Sequence, residues 1–200
     1  PYRIVGAVRF YEREEIKDML AFLAILANPR DEISFKRIVN KPSRGIGATS
    51  LDKIISFSLH NGADLIEASR QTIASIPRKG SEGLKEFLTL VEEAKTSFHK
   101  DMTVKENSGD LGSLISDFAQ KSGLLEFYDN KDRISGSHKK ENIDELVNAA
   151  SDHPLSEEGL LEFLDDVMLD QSRQRNENNE DSVTLITMHN TKGLEFPIVI

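Results

Sequence analysis

The last eighteen residues constrain the fold of this 200-residue chain more than any other stretch. Residues 183–188 form an apolar, β-branched run with almost no polar face, which is typical of a strand buried on both sides of a parallel sheet. A polar break follows at 189–193, and 196–200 is a second apolar run with Pro197 near its start, where a missing N–H is tolerated. The pattern predicts a loop at the carboxyl end of a core strand, where α/β sheets bind ligands.

This predicted loop carries groups that suit a phosphate. Lys192 supplies one point charge, and Gly193 allows a ligand to approach the backbone closely. An ordinary strand–loop–strand connection with a solvated lysine accounts for the same composition, and from composition alone it is the better interpretation.

A longer pattern in the same place resembles a known family. Residues 187–196 read Thr-x-His-x-x-Lys-Gly-Leu-Glu-Phe, which resembles motif V of the superfamily 1 DNA helicases of the UvrD/PcrA/Rep type. The resemblance implies that three residues face single-stranded DNA and two lie toward the nucleotide. The DNA-facing residues are Thr187, His189 and Lys192, and the nucleotide-facing residues are Gly193 and Glu195.

Two further stretches resemble the same family in the same order. Residues 1–18 are similar to the helicase stretch called motif IVa, which in that family leaves the second RecA-like domain and enters an inserted helical domain. Residues 40–47, Asn-Lys-Pro-Ser-Arg-Gly-Ile-Gly, are similar to a stretch of that inserted 2B domain. The resemblance of residues 40–47 implies contact with the backbone of duplex DNA, without readout of the bases.

The residues of this second stretch also favour an anion site by themselves. Gly45 and Gly47 precede a predicted helix start, which offers bare N–H groups and the positive end of a helix dipole. Ile46 between them is suited to anchor the loop in the core, and Lys41 and Arg44 favour a phosphate ligand. Glycine pairs before helices are also common as plain turns.

Composition predicts a globular, helix-prone chain, with 38% hydrophobic and 30% charged residues. The sequence contains no run of eighteen apolar residues, so no membrane span is predicted. It has no signal-peptide pattern at its start. Cysteine is absent, which excludes disulfides and thiolate metal sites, and the scattered histidines lack metal-ligand spacing. We expect no metal site, no membrane contact and a cytoplasmic location.

Charge is distributed unevenly along the chain. The net charge of −9 argues against a non-specific nucleic-acid coat. Residues 36–53 nevertheless hold five basic residues against one acid, whereas 156–181 hold nine acids against two arginines. A basic patch on an acidic body fits a protein that touches DNA at one defined place.

Hydrophobic periodicity predicts a strand at 2–5 and then one helix after another. Residues 77–83 are expected to form a turn, 128–140 a mobile loop, and 171–182 a disordered acidic linker. The last helix is expected to begin near 154–156. Its expected apolar face consists of Leu160, Leu161, Leu164, Val167 and Met168.

These expectations combine into a mainly α-helical fold, a 2B-type helical domain, with short β-strands at both ends that belong to an incomplete RecA-like α/β domain. The expected domains are 1–12 and 176–200, both pieces of RecA-like domain 2A, and the helical DNA-binding domain at 13–175. The resemblance implies a central fragment of an ATP-dependent 3′-to-5′ DNA helicase that acts in repair or replication. Its expected partners are duplex and single-stranded DNA, the rest of the helicase chain and repair proteins.

No catalytic residue is assigned in this chain. It contains neither a Walker A pattern nor a plausible acidic Walker B strand. The chain alone should therefore not hydrolyse ATP. The resemblance implies that ATP and Mg²⁺ act in the full-length parent.

Three alternatives stay open. The chain could be a freestanding helical DNA-binding module built around 41–47, which would have no need for 183–200. It could be a protein-interaction scaffold, which the acidic surface favours, or the helicase subunit of a recombination nuclease complex, which shares motif V. If the chain is a helicase fragment or a freestanding DNA-binding module, replacing Lys41 and Arg44 by glutamate should abolish duplex binding. If it is a scaffold, the replacement should have no effect.

Overall fold

A computed structural model of the chain describes residues 2–5, 9–99, 109–176 and 183–186. This part is mainly α-helical, as predicted. Its helices are α1 Glu14–Ala27, α2 Glu32–Ile38, α3 Ala48–Asn61, α4 Leu65–Thr72, α5 Arg78–His99, α6 Leu111–Lys121, α7 Leu124–Ser135, α8 Lys139–Ala150 and α9 Glu157–Asn176, with 3₁₀ turns at Phe10–Glu12 and Ile73–Ser75. No helix within these ranges is long and apolar enough to cross a membrane.

Two short strands lie at the two ends of the described chain, as predicted. β1 is Tyr2–Val5 and β2 is Val183–Ile186. They pair in parallel, with Tyr2 opposite Val183 and Val5 opposite Ile186. The chain therefore leaves one strand, forms the helices and returns to the neighbouring strand.

Helix α1 lies at the centre of the hydrophobic core. Ile16, Met19 and Leu23 recur at helical spacing on its buried face, and all three are fully buried. The helix contacts α2, α5, α8 and α9. The ring of Phe22 stacks on that of Phe118 in α6, with 3.3 Å between centroids, so α1 packs against helices from both the earlier and the later part of the chain.

The ends of several helices follow from local chemistry. Asp31, Asp64 and Asp110 accept hydrogen bonds from backbone N–H groups in the first turns of α2, α4 and α6. Such caps contribute about 1 kcal/mol each. Gly62 ends α3 in the left-handed conformation at φ +65°, as the Asn-Gly pair predicts.

The predicted turn at 77–83 is wrong, because α5 begins at Arg78 and runs through these residues. Its two glycines permit close packing instead of a turn. A Cβ at Gly80 would lie 2.7 Å from the carbonyl oxygen of Gly45, and a Cβ at Gly83 would overlap the carbonyl oxygen of Arg44. The helix keeps both glycines, at about 1 kcal/mol each in helix propensity, where the 40–47 loop crosses it.

The predicted mobile loop at 128–140 is also wrong. Helix α7 covers Leu124–Ser135, and α8 follows at Lys139. Leu124 and Tyr128 lie one turn apart, and both are fully buried. Leu125 and Phe127 pack against the core beside them, so an apolar face holds the helix in place.

Helix α9 differs from the expectation in length and orientation. It continues to Asn176, so 171–176 are helical, and 177–182 lie outside the described residues. Its buried face is Leu160, Phe163 and Val167, whereas Leu161 and Met168 are 54% and 68% exposed.

Candidate nucleic-acid interface

The loop between α2 and α3 has the backbone geometry that the sequence predicts. Gly45 takes φ +77°, a conformation that side chains disfavour. Ile46 is only 3% exposed and anchors the loop in the core. Gly47 is the exposed N-cap residue of α3, with no side-chain cap, and a Cβ built there would meet no atom within 4 Å. The positive end of α3 is therefore open to solvent at a bare backbone.

Asn40 fixes the shape of this loop. Its side-chain oxygen accepts hydrogen bonds from the backbone N–H groups of Arg44, at 2.7 Å, and Ile46, at 3.1 Å. No separate role was predicted for Asn40 from the sequence. The signal was available, since asparagine side chains commonly bond to backbone groups a few residues further on in turns.

The guanidinium of Arg44 points into the protein. It donates to the carbonyl oxygens of Lys41 at 2.6 Å, Ile38 at 3.1 Å and Ser122 at 3.2 Å, and the residue is only 9% exposed. Burial lowers the pKa of Arg44 to about 10, so the group stays protonated at neutral pH. Arg44 thus joins the loop to the turn between α6 and α7. Its predicted DNA contact stays a prediction.

Lys41 is held by carboxylates of α1. Its ammonium lies 2.7 Å from Glu14 and 2.6 Å from the fully buried Asp18. The hydrogen bond from Lys41 is the main cause that lowers the pKa of Glu14 to about 2. The charge of Lys41 is therefore matched inside the protein, and its predicted contact with DNA also stays a prediction.

Asp18 is the centre of this ionic network. It accepts hydrogen bonds from Arg37 at 2.8 Å and from the buried hydroxyl of Tyr128. Burial, followed by the bond to Asp18, raises the pKa of Tyr128 above its usual range, so the hydroxyl remains a donor. The network joins α1, α2 and α7 to the start of the loop.

The first turn of α5 supplies an outward-facing cation beside the loop. A Cβ at Gly45 would lie 2.8 Å from Cγ of Lys79, so the stem of this exposed lysine passes over the glycine. Lys53 of α3 is also exposed, and it donates to the carbonyl oxygen of Ser75 at 2.9 Å. Lys79 was not predicted from the sequence, because it lies in the stretch expected to form a turn. The Arg-Lys-Gly sequence at 78–80 was the signal.

This arrangement suits contacts with a phosphate backbone. It combines an exposed helix N-terminus, glycine backbone that a ligand can approach and a solvated lysine. In the described ranges, no group of His, Asp and Glu side chains is placed to hold a metal ion.

The predicted motif V residues lie outside the described residues. These are Thr187, His189, Lys192, Gly193 and Glu195. The strand that leads to them, β2, ends at Ile186 beside β1. Their roles stay predictions.

Comparison with known proteins places the whole chain in one group. Residues 1–200 match the model of the UvrD-like helicase C-terminal domain. The ATP-dependent DNA helicase PcrA of Staphylococcus aureus (strain Mu50 / ATCC 700699) is 35% identical over 204 residues, which cover 100% of this chain and 27% of that protein. PcrA of Staphylococcus epidermidis (strain ATCC 12228 / FDA PCI 1200) is 33% identical with the same coverage. The chain thus spans 27% of the length of these relatives.

Proposed function

The chain belongs to the UvrD-like helicase family, and from that premise we propose that it is the segment of an ATP-dependent DNA helicase that grips duplex DNA beside the motor. Residues 13–175 form the duplex-binding domain of the 2B type. Residues 1–12 and 176–200 belong to the RecA-like domain 2A. The single observation that carries the proposal is the shape of the loop at 40–47.

The loop supports duplex binding through its backbone. Gly47 leaves the N-terminus of α3 open at an exposed, bare backbone, where an anion is favoured. Gly45 beside it takes the positive φ that turns the loop. Ile46 holds this backbone on the core. Lys41 and Arg44 contribute by keeping the loop in its binding shape, since their charges are engaged by internal partners. Contacts of this kind fix the position of a duplex without reading its sequence.

The paired strands support attachment to a motor domain. β1 and β2 lie side by side in parallel, which suits a helical insertion into one parallel sheet and gives β2 a role that a freestanding module lacks. In this proposal Thr187, His189 and Lys192 contact single-stranded DNA, and Gly193 and Glu195 contact the nucleotide. The whole protein uses ATP and Mg²⁺ to move 3′ to 5′ along DNA in the cytoplasm, in repair or replication. The same contacts would serve a recombination nuclease subunit.

Gly47 offers a test that separates binding from folding. Its backbone and surroundings accept a side chain, and both Asp and Asn are good N-cap residues. We expect Gly47→Asp to leave α3 as stable as in the wild type or more stable, yet to weaken binding to a tailed duplex about tenfold by placing a carboxylate at the phosphate position. Gly47→Asn has the same size and caps the same N–H groups without the charge, so it should weaken binding less than Gly47→Asp does.

Fluorescence anisotropy at several salt concentrations measures the binding, and thermal unfolding measures the stability. The proposal fails if the wild-type chain does not bind the duplex even at low salt, or if both Gly47 variants bind as the wild type does.

A further inference from the structure

We propose that Lys79, on the first turn of α5, is the side-chain cation that contacts a duplex phosphate at this surface. The inference rests on the proposed function, and it names a residue that lies outside the 40–47 loop. It also moves the side-chain charge contact away from the two basic residues of the loop.

Both basic residues of the loop are already engaged by internal partners. Arg44 is buried, and its guanidinium donates hydrogen bonds to backbone carbonyl oxygens. Lys41 is neutralised by Glu14 and Asp18. To reach a phosphate, either group would have to leave its partners, and a buried carboxylate or several carbonyl oxygens would lose their donor.

Lys79 lies beside the glycine backbone of the loop. Gly80 and Gly83 bring the first turn of α5 into contact with the backbone of Gly45 and Arg44. Lys79 precedes Gly80, and its stem lies against Gly45 on the exposed side of the loop. The ammonium of Lys79 therefore extends from the edge of the glycine backbone that the proposed function assigns to phosphate.

The charge of Lys79 is available to a ligand. Within residues 9–99 and 109–176, the ammonium of Lys79 has no hydrogen bond and no ion pair. The neighbouring Arg78 pairs with Glu82 at 3.0 Å, and Lys53 is bonded to Ser75. Of these three cations near the loop, Lys79 gives up no partner when it binds a phosphate.

The size of the effect follows from counterion release. One lysine–phosphate contact contributes about 0.9 to the slope of log K against log salt. If release supplies the whole contact, its loss weakens binding about eightfold at 0.1 M salt. Lys79→Gln should therefore lower both the affinity and the slope by about these amounts, whereas Lys79→Arg should retain both.

Lys85 supplies the matched control. It is also an exposed lysine of α5 without an ion pair in the described ranges, but it lies about 9 Å further along the helix on a different face. Lys85→Gln removes the same charge from the chain. It should leave the slope unchanged.

The experiment titrates a tailed duplex with wild type, Lys79→Gln, Lys79→Arg and Lys85→Gln from low to moderate salt. A reduced slope in Lys79→Gln alone supports the inference. A wild-type slope in Lys79→Gln, or equal losses in Lys79→Gln and Lys85→Gln, overturns it while the proposed function stands. Absence of wild-type binding overturns the proposed function, and the inference with it.

Discussion

At the scale of single residues, the central feature is a buried carboxylate with three donors. Asp18 is fully buried and is bonded to Arg37, Lys41 and Tyr128. Burying an ionised carboxylate is costly unless hydrogen bonds replace its water. The three donors come from different parts of the chain, so the carboxylate specifies how those parts meet.

Removing the Tyr128 hydroxyl tests this account. We expect Tyr128→Phe to lower the free energy of unfolding by about 1–3 kcal/mol, because the buried carboxylate loses a donor while the ring still fills its place. Urea unfolding followed by circular dichroism measures the change. Tyr11→Phe removes the same atom from a half-buried residue and should cost less than about 0.5 kcal/mol. Equal losses in the two variants would contradict the role given to Asp18.

At the scale of elements, the turn between α7 and α8 depends on one side chain. Asp132, near the end of α7, accepts hydrogen bonds from the backbone N–H groups of Lys139 at 3.1 Å and Lys140 at 2.9 Å, and from the hydroxyl of Ser137. The N-cap position of α8 is His138, which makes no side-chain cap. A residue of one helix thus caps the next.

We expect Asp132→Ala to lower the free energy of unfolding by about 1 kcal/mol, as loss of an N-cap does. Asp129 in the same helix is the control. It pairs with the exposed Arg133 one turn away, and loss of such a pair costs about 0.3–0.5 kcal/mol. Thermal unfolding of the two variants gives the comparison. A cost for Asp132→Ala no larger than that for Asp129→Ala would show that α8 does not need this cap.

The same elements show what the sequence could and could not predict. Gly62 ends α3 through local backbone chemistry, and the sequence predicted it. Helix α7 was missed because Tyr128 is held by Asp18, 110 positions away in the sequence. The start of α5 was missed because its glycines face the distant Arg44 and Gly45.

In the candidate site too, local features could be predicted from the sequence and long-range contacts could not. The glycine geometry of the loop and the buried Ile46 followed from the local pattern. The partners of Lys41 and Arg44 did not, because the sequence shows where a basic residue stands but not which distant carboxylate or carbonyl engages it. For the same reason Lys79 was passed over.

At the scale of the whole molecule, charge restricts where DNA can bind. The net charge is −9, and the exposed side of α9 carries Glu157, Glu158, Glu162, Asp165 and Asp166. This surface repels a polyanion, whereas the turn of α5 with Lys79 attracts one. Under the proposed function, these charges favour binding of a duplex at the 40–47 loop and disfavour binding along α9.

The helical body has a buried core of its own. Among the residues whose burial the structure describes, the buried apolar residues fall between Ile16 and Val167, and β1 and β2 pair with each other. We therefore expect residues 9–176 alone to unfold cooperatively within a few degrees of the full chain and to bind the duplex within about twofold. A chain of residues 9–150 is the control. It lacks α9 and exposes the core face that Leu160, Phe163 and Val167 cover, each worth about 1.5–3 kcal/mol, so it should melt at a much lower temperature. If residues 9–176 lose cooperative unfolding, the helical body depends on its strands and is not an independent domain.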